Sequence, residues 1–563
     1  MEKYLSKSSV CYCLIGLAVV LVWGSTARFD FVWDDTILIV QNKSIQSLRY
    51  LPETLYSLDA QSAETAPSYR PLRTAHYAIL KALTGTGPAR SWIFHLASVV
   101  WHAVAAMLLF SVALLLFERQ ACGISTCGRM AALWTALAFA VHPVTSETIC
   151  WVKCLDDLMA TVYVLAATRA LLKWNQNGNI CWPALVYFLL SVYGKESAAP
   201  FALVAFFIFH WFHGLPWRKS LALCVPFLAV AVIYVAHRHL VLGRSSQCAP
   251  LSGTYGQTLI DMFPVVAPYL RLLFGVPPFC IDYDYMIGLG NYAFLSRQVL
   301  CGLLLILLWI GVAVWLARRT AFRVVAFGMI WAALFLLPVS NIVPMMQYMA
   351  ERFLYLPLVG FLIAFAALAC RISALHKFWW VGAAVLLIWV ASSINRRDIW
   401  QNELTLFIRS GLEMPGNRRV EKNALVAIFH LPQMEKLFPE YRKNKTLVMA
   451  ESLTMKEVLP AINTLIEAHR IFPHNDLLCA SLGLTYAHFS QWPQALGYLE
   501  LAVRESGDSP RSWYNLSSVR LAANDPVKAS VACEQALALD PRFAEALQLQ
   551  IKIRNALNSA PSK

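Results

Sequence analysis

The stretch WIFHLASVVWHAVAAMLLFSVALLLF, residues 92–117, is typical of a membrane-spanning helix. It contains no Asp, Glu, Lys or Arg, and a helix of about twenty apolar residues is long enough to cross ~30 Å of hydrocarbon. Similar runs recur through the first 395 residues. The 563-residue chain is 58% hydrophobic and only 14% charged, whereas soluble domains reach about 25% charged residues. The sequence therefore predicts an all-α, polytopic transmembrane protein.

Eleven apolar runs are predicted to cross the membrane. They lie near residues 10–24, 92–117, 130–144, 158–172, 180–193, 198–212, 221–240, 299–317, 324–343, 353–370 and 378–394. Short basic clusters separate them, and cytoplasmic loops carry an excess of Lys and Arg. Placing every basic cluster inside gives eleven crossings, a cytoplasmic N-terminus and a non-cytoplasmic C-terminus. The apolar segment 260–274 would break this pattern as a full crossing, so we expect it to be interfacial or re-entrant.

The formal charge of +14 does not indicate a nucleic-acid partner. Only +3 of it lies from Arg396 onward. The excess sits between the apolar runs, where it reports membrane topology and not a polyanion site. Membrane lipids are the expected neighbours of this surface, and nucleic acid is excluded.

Under this topology many ionisable side chains fall on one non-cytoplasmic face. The large first loop, residues 25–91, and the later outer turns carry Asp34, Asp35, Arg70, Arg73, His142, Glu147, Lys153, Asp156, Asp157, Lys195, Glu196, Asp282, Asp284, Glu351 and Arg352. Ionisable groups near the bilayer are costly unless they are paired or functional. The sequence therefore predicts a polar cavity on this face.

The region after residue 395 changes from apolar runs to a 34-residue period. Ala461, Ala495 and Ala529 are 34 residues apart, and the same spacing relates another set, Ala468, Ala502 and Ala536. Small residues at these steps allow close helix packing in a tetratricopeptide-repeat (TPR) array. We predict three segments: a transmembrane domain (1–395), a helical connector (396–441), and a TPR α-solenoid (442–563) whose last helix, near 544–557, closes the array.

Several motifs occur in a familiar order. They are FVWDDTILIVQN (31–42), SYRPL (68–72), FHLASVVWH (94–102), FAVHPVTSETICWV (139–152), GKESAAP (194–200), AERFLYLPLVGF (350–361) and RRDIWQNELTLF (396–407). Together they resemble the transmembrane-and-tetratricopeptide-repeat protein O-mannosyltransferases and their bacterial relatives, in the GT-C glycosyltransferase superfamily. The resemblance covers nearly the whole chain, and we expect a bacterial relative.

The resemblance implies a GT-C helical bundle that transfers a sugar on the non-cytoplasmic face. Mannose would pass from a polyprenyl-phosphate donor, the co-substrate, to a hydroxyl of a protein acceptor engaged by the TPR array. The membrane would be the bacterial inner membrane, or the endoplasmic reticulum membrane in a eukaryote. No cofactor is certain; a divalent metal is left open, and its ligands are unknown.

The residue types suit this chemistry. Asp34 or Asp35 would take the proton of the acceptor hydroxyl while the sugar carbon becomes oxocarbenium-like. The second carboxylate would raise the pKa of its neighbour, or hold the acceptor or a divalent metal. The departing lipid phosphate needs fixed cations. The candidates for it are Arg70, Lys153, Lys195 and Arg352.

Five further residues are supporting candidates, and for one of them a structural role is the simpler interpretation. His142 would donate to phosphate or sugar oxygens, with Glu147 fixing its orientation. Glu196 and Glu351 each adjoin a candidate cation, which equally allows a local ion pair closing a helix end. His102 lies inside the second helix, where a buried, hydrogen-bonded histidine is the simpler interpretation.

Three features leave alternatives open. Leu155 stands where the family usually has a basic residue, which favours a non-catalytic, membrane-anchored TPR scaffold for protein–protein interaction. A transporter or polymer ligase would use the same polar cavity, but we find no inverted internal repeat. Cys248 and Cys280 share one outer region and allow a disulfide, although cysteine counts name no partner.

Overall fold

The computed structural model describes residues 8–559 apart from 58–68, 85–89, 122–125, 176–179, 244–247, 284–291, 372–378, 415, 442–446, 448 and 451–452. The described residues form α-helices and short 3₁₀ or π turns, with no β-strand among them. The predicted all-α class is confirmed. By its internal contacts the chain divides into two units, residues 1–403 and 404–563.

Twelve main helices build the first unit. They are α1 (Ser8–Trp23), α2 (Pro71–Leu83), α3 (Ser91–Ala121), α4 (Thr126–Ala140), α5 (Leu155–Leu172), α6 (Trp182–Gly194), α7 (Phe201–Phe207), α8 (Trp217–Leu242), α9 (Arg297–Ala317), α10 (Arg323–Leu336), α11 (Tyr355–Arg371) and α12 (Trp379–Asp398). Each of the eleven predicted apolar runs coincides with one of them, and α2 lies in the first loop. A π turn extends α7 to Phe212.

Six described segments are long and apolar enough to cross a membrane, which makes this a multi-pass membrane protein. They are residues 8–28, 91–119, 217–242, 297–317, 320–339 and 351–371. Three shorter apolar helices lie at 127–140, 182–194 and 196–212. The remaining two predicted crossings are helices α5 and α12. Most of α5 is buried by other helices, and such a helix needs no lipid-facing apolar surface.

The segment 260–274, predicted to be interfacial or re-entrant, forms two short helices. They span Tyr255–Asp261 and Val266–Leu273. Neither reaches the length of about twenty residues that a crossing requires.

Helices α10 and α11 pack closely because glycines face each other. A Cβ on Gly328 would meet the carbonyl oxygen of Gly360, and a Cβ on Gly360 would meet that of Gly328 and the indole of Trp331. Small residues allow this close approach of membrane helices. The indole of Trp331 then donates to the carbonyl of Leu356 at 2.9 Å. This pair of helices is therefore a rigid part of the bundle.

We expect Gly360→Val to destabilise the protein by about 1–3 kcal/mol, because overpacking forces side chains and backbone apart. Thermal unfolding in detergent measures the loss. Gly311→Val on α9 is the matched control, because a Cβ there meets no atom within 4 Å. Equal unfolding temperatures for the two variants would contradict this account of the packing.

The second unit is built from antiparallel helices. They are α13 (Glu403–Glu413), α14 (Arg418–Phe429), α15 (Pro432–Leu437), α16 (Met455–Ile471), α17 (Asp476–His488), α18 (Trp492–Glu505), α19 (Pro510–Ala522), α20 (Pro526–Leu539) and α21 (Ala544–Ser559). The alanines of the 34-residue period are buried at the helix contacts, and Gly483 admits the side chain of Leu499. The predicted TPR solenoid is confirmed.

Helix α21 packs against the preceding helix of the array. Ala546 and Ile553 of α21 pack into one buried cluster with Ala529 and Cys533 of α20.

Candidate functional site

The segment between α4 and α5 supplies the centre of the site. After α4 it forms a 3₁₀ turn (Pro143–Thr145), a short helix (Ser146–Cys150) and a second 3₁₀ turn (Val152–Cys154) before α5 begins. His142 caps the first turn by accepting from the Val144 amide at 3.3 Å. These turns hold several polar side chains at one end of the bundle.

Trp151 lies at the middle of this arrangement and is buried. The ring of Trp33 stacks on it with centroids 4.7 Å apart. Two cations also lie over the Trp151 ring: Lys153 Nζ at 4.6 Å and the Arg352 guanidinium carbon at 5.3 Å. Cations are attracted to an aromatic face at such distances. The first loop, the α4–α5 turn and the start of α11 therefore converge on one indole.

Asp34 and Lys153 form the most accessible pair of this site. Lys153 Nζ lies 2.5 Å from Asp34 Oδ2. The side chain of Asp34 is 35% exposed, and that of Lys153 is 28% exposed. A partly exposed ion pair is weak, typically about 0–1 kcal/mol. It therefore opens at low cost when another anion approaches.

Asp35 differs sharply from its neighbour, because it is fully buried. Its carboxylate accepts from the backbone N–H groups of Lys153 at 2.8 Å and Val32 at 3.3 Å. Burial raises the pKa of Asp35 to about 8, although these two hydrogen bonds oppose the shift. Trp33, which lies between Val32 and Asp34 in the chain, has a φ of +56°. A bulky residue adopts such a value only when its surroundings enforce it. Asp35 thus ties the first loop to the α4–α5 turn.

The raised pKa of Asp35 predicts a pH-dependent stability. Because an unfolded Asp has a pKa of about 3.9, the folded state binds more protons between pH of about 4 and 8. The free energy of unfolding contributed by Asp35 therefore falls as pH rises through this window. Asp35→Asn should flatten the decline in unfolding temperature measured between pH 5 and 8. The exposed Asp30→Asn is the control, and an unchanged slope in Asp35→Asn would refute the prediction.

Glu147 binds Arg352 and not His142. Its Oε2 accepts from the Arg352 backbone N–H at 2.9 Å, and its Oε1 forms an ion pair with the Arg352 guanidinium. The guanidinium also donates to the side chain of Gln347. His142 instead contacts the Leu273 carbonyl at 3.2 Å. The expectation that Glu147 orients His142 was therefore wrong, because Glu147 is held by a cation from a distant helix.

A second polar group surrounds Asp156, whose side chain is 2% exposed. Asp156 forms ion pairs with Arg70, with Arg73 at 3.4 Å and with Lys195 at 3.6 Å. Lys195 also pairs with Asp157. We name these five residues the Asp156 network. Its candidate cations are largely buried and already neutralised by carboxylates.

Glu196 and Glu351, which each adjoin a candidate cation in the sequence, contact other elements of the fold. Glu196 accepts from Arg70 at 2.8 Å. Glu351 is buried and lies 3.0 Å from the guanidinium of Arg396, and the Tyr283 hydroxyl donates to it at 2.9 Å. These contacts bridge separate segments. They are not the local ion pairs at helix ends that the sequence also allowed.

His102 is a buried histidine with both ring nitrogens engaged. Nδ1 lies 2.7 Å from the Tyr355 hydroxyl and Nε2 lies 3.1 Å from the Ala140 carbonyl. The structure thus shows the burial and hydrogen bonding that the simpler interpretation expected, and His102 stays a supporting candidate.

Sequence reasoning missed Gln347, Tyr283 and Arg396 as members of the polar groups. Arg396 was recognised only as part of a motif, and nothing in the sequence placed it beside Glu351. Tyr283 gave no charge signal. The candidate Asp284 and the first residue of the SYRPL motif lie outside the described residues.

The sequence left a divalent metal and a Cys248–Cys280 disulfide open. Within the described ranges, no group of three or more His, Cys, Asp or Glu side chains is arranged to hold a metal ion. Cys248 and Cys280 are both described, and no disulfide joins them. The disulfide that the sequence allowed is therefore not formed in this structure.

Comparisons with known proteins agree with the motifs. The chain is 24% identical to human protein O-mannosyl-transferase TMTC3, over 94% of this chain and 64% of that protein. It is also 24% identical to Caenorhabditis elegans protein O-mannosyl-transferase F38B6.6 (70% and 56%) and to human protein O-mannosyl-transferase TMTC1 (76% and 55%). The chain thus spans 55–64% of the length of these curated relatives.

Two other comparisons add little. No family model matches the chain. A solved structure of the APC/C hetero-tetramer Cut9–Hcn1 aligns with 86% of the chain at 14% identity, but its TM-score of 0.20 carries no structural argument. Over most of its length the chain is thus similar to curated proteins named protein O-mannosyl-transferases. The resemblance stated from the motifs is confirmed.

Proposed function

We propose that this protein is a membrane glycosyltransferase that moves mannose from a polyprenyl-phosphate donor to a hydroxyl of a protein acceptor. The names of its relatives support mannosyl transfer to protein. The observation that carries the proposal is the accessible Asp34–Lys153 pair beside Arg352. It combines a carboxylate with two cations on one aromatic platform, at the end of a membrane bundle.

Asp34 is the proposed general base. The acceptor hydroxyl oxygen bonds to the sugar C1 as the bond from C1 to the phosphate oxygen breaks. The hydroxyl proton goes to Asp34, and the bonding electron pair leaves with the polyprenyl phosphate. A base must be ionised and within reach of its proton. The side chain of Asp34 is partly exposed and can meet an acceptor, whereas Asp35 is buried.

Lys153 and Arg352 are the proposed phosphate ligands. An incoming phosphate would draw Lys153 Nζ away from Asp34, because a phosphate is a strong partner for a cation. This exchange would free the base at the moment that the donor binds. Arg352 would contribute a second, fixed charge, since Glu147 and Trp151 hold its guanidinium in place.

Arg70 and Lys195 have a supporting role in this proposal. Both belong to the buried Asp156 network, so phosphate would have to break more than one buried ion pair to reach them. We propose that they fix the α4–α5 turn, with Glu196 and Asp157 as their partners. Breaking buried pairs is expensive.

The membrane orientation and the TPR array complete the proposal. The basic clusters favour a cytoplasmic N-terminus, so the site and the C-terminal repeats would share the non-cytoplasmic side. The repeats would engage the protein acceptor, because TPR surfaces form extended grooves for protein ligands.

A non-catalytic scaffold is the second candidate, and one observation favours it. Each of the four candidate phosphate ligands already pairs with a carboxylate, so the site shows no excess of positive charge among these pairs. Leu155, where a basic residue was expected, is fully buried and offers no phosphate contact. A scaffold would keep the repeats and need no donor.

A reconstituted mannosyl-transfer assay distinguishes the enzyme from the scaffold. The purified full chain in lipid vesicles is given radiolabelled polyprenyl-phosphate mannose and a panel of protein acceptors. Label that moves to a protein hydroxyl, and is absent with Lys153→Ala, supports the enzyme. The exposed Lys43→Ala, in the first loop, is the control. No transfer to any acceptor, while the chain remains folded, would favour the scaffold.

A further inference from the structure

Two cysteines lie side by side where the start of α4 meets the end of α11. Cys127 is the second residue of α4, and Cys370 is the last but one residue of α11. The Cys127 thiol donates to the Cys370 sulfur at 3.3 Å, and the Cys370 thiol donates to the Cys127 carbonyl at 3.7 Å. Because a disulfide bond is about 2.05 Å long, the two sulfurs are little more than ~1 Å from bonding distance. No disulfide joins them in this structure.

The register of α4 and α11 fixes this contact. The ring centroid of Trp134 lies 5.6 Å from that of Phe365, and the ring centroid of Phe139 lies 5.0 Å from that of Tyr355. Partners rise in number along α4 as they fall along α11, so the two helices are antiparallel. A helix rises about 20 Å over the thirteen steps of α4 beyond Cys127. The cysteine pair and the candidate site are therefore at opposite ends of the two helices.

Half-burial of both thiols distinguishes this pair from packing cysteines. A fully buried cysteine behaves as an inert small apolar residue, and Cys150 and Cys154 in the α4–α5 turn are of that kind. Cys127 and Cys370 are both half-buried at helix ends, where a small oxidant can reach them. Groups held in contact also react far more readily than groups that must first meet by diffusion.

The predicted topology gives the pair a reducing environment. It places the start of α4 and the end of α11 on the cytoplasmic side, together with the neighbouring basic residues Arg129 and Arg371. Cytosolic thiols are kept reduced, and disulfides that form there are transient and often redox-sensing. A bond between these two sulfurs would therefore be reversible and would form only under oxidation.

We propose that Cys127 and Cys370 are a redox modification site whose oxidant is hydrogen peroxide. One sulfur, as thiolate, attacks a peroxide oxygen; the O–O bond breaks, a sulfenic acid forms, and the departing hydroxide takes a proton to become water. The second sulfur then attacks the first. The S–S bond forms as the S–O bond breaks, and the oxygen leaves as a second water with the remaining thiol proton.

The overall reaction is balanced by the peroxide alone. Two thiols and one hydrogen peroxide give one disulfide and two waters, and two electrons pass from the sulfurs to the peroxide oxygens. Thiol reductants such as glutathione reverse the oxidation by exchange through a mixed disulfide. The product covalently joins α4 to α11. This site uses none of the residues of the proposed transfer chemistry, so it is tested without any sugar donor.

Mass spectrometry of the full chain in nanodiscs tests the site. Cys122→Ser serves as the background, because Cys122 shares the tryptic peptide 120–129 with Cys127, whereas peptide 353–371 contains only Cys370. The protein is treated with hydrogen peroxide, alkylated and digested without reduction. We expect about tenfold more of the 120–129/353–371 crosslink than in untreated protein. Both thiols fully alkylated after the treatment, with no crosslink, would overturn the proposal.

Mixed isotopes and single variants define the bond further. Heavy and light chains mixed before oxidation should give only heavy–heavy and light–light crosslinks, and mixed pairs would overturn the proposal by showing a bond between copies. In Cys127→Ser the crosslink should be absent, and Cys370 should be trapped by dimedone as its sulfenic acid. Cys301→Ser, which removes an exposed cysteine of α9, is the control and should crosslink like the background protein.

Reversal by glutathione completes the test. Reduced glutathione added after the peroxide should return both cysteines to the alkylated form and remove the crosslink about tenfold or more. A crosslink that persists under this treatment would overturn the reversible site. Oxidation of either cysteine to the sulfonic acid in place of the crosslink would also overturn it, because that product is not reversible.

Discussion

Replacing Asp34 with asparagine should reduce mannosyl transfer by about 10²–10⁴-fold, the usual contribution of a general base. Asparagine has nearly the same shape but cannot take the acceptor proton. The fold should remain intact because the Asp34–Lys153 pair is partly exposed and contributes little to stability. The effect should fall on the rate constant kcat more than on KM for the donor, and single-turnover transfer measures it.

The control for this variant lies in the same loop. Asp30 has an exposed side chain, and Asp30→Asn should transfer at the wild-type rate. A near-normal rate for Asp34→Asn, together with full loss in Asp35→Asn, would move the base to Asp35. Normal rates in both variants would remove this carboxylate pair from the chemistry.

Replacing Asp156 with alanine should destabilise the protein by about 3–5 kcal/mol, because it leaves buried cations without their counter-ion. Asp156 faces Arg70, Arg73 and Lys195 at once. Asp156→Asn should cost less, since the amide oxygen still accepts hydrogen bonds. Thermal unfolding in detergent measures both changes.

A surface pair provides the comparison. Asp398 pairs with Arg397 but is 44% exposed, and Asp398→Ala should change stability by about 0.5 kcal/mol or less. An Asp156→Ala variant as stable as this control would show that the Asp156 network does not stabilise the fold. Its cations would then be available for phosphate.

The helices were predictable from the sequence because their signals are local. Hydropathy over about twenty residues located each of the eleven apolar runs that became helices. The alanines spaced by 34 located the repeats, since each one marks the same helix contact. Hydropathy did not show, however, that α5 is a helix buried in protein, with Asp156 and Asp157 in its first turn.

The pairing of the polar side chains was not predictable, because their partners are far apart in sequence. Asp34 meets Lys153 across 119 positions, and Glu147 meets Arg352 across 205. Local spacing instead favoured the pairing of Glu147 with His142. Sequence alone also gave Asp34 and Asp35 equal standing, although one is half-buried and the other fully buried. That difference comes from tertiary packing.

A structure of the protein with a bound polyprenyl-phosphate sugar, determined by electron cryomicroscopy in nanodiscs, tests the central claim most directly. We expect phosphate density in contact with Lys153 and Arg352, an opened Asp34–Lys153 pair, and the sugar C1 facing Asp34. Phosphate bound at Arg70 and Lys195, with the Asp34–Lys153 pair still closed, would contradict it.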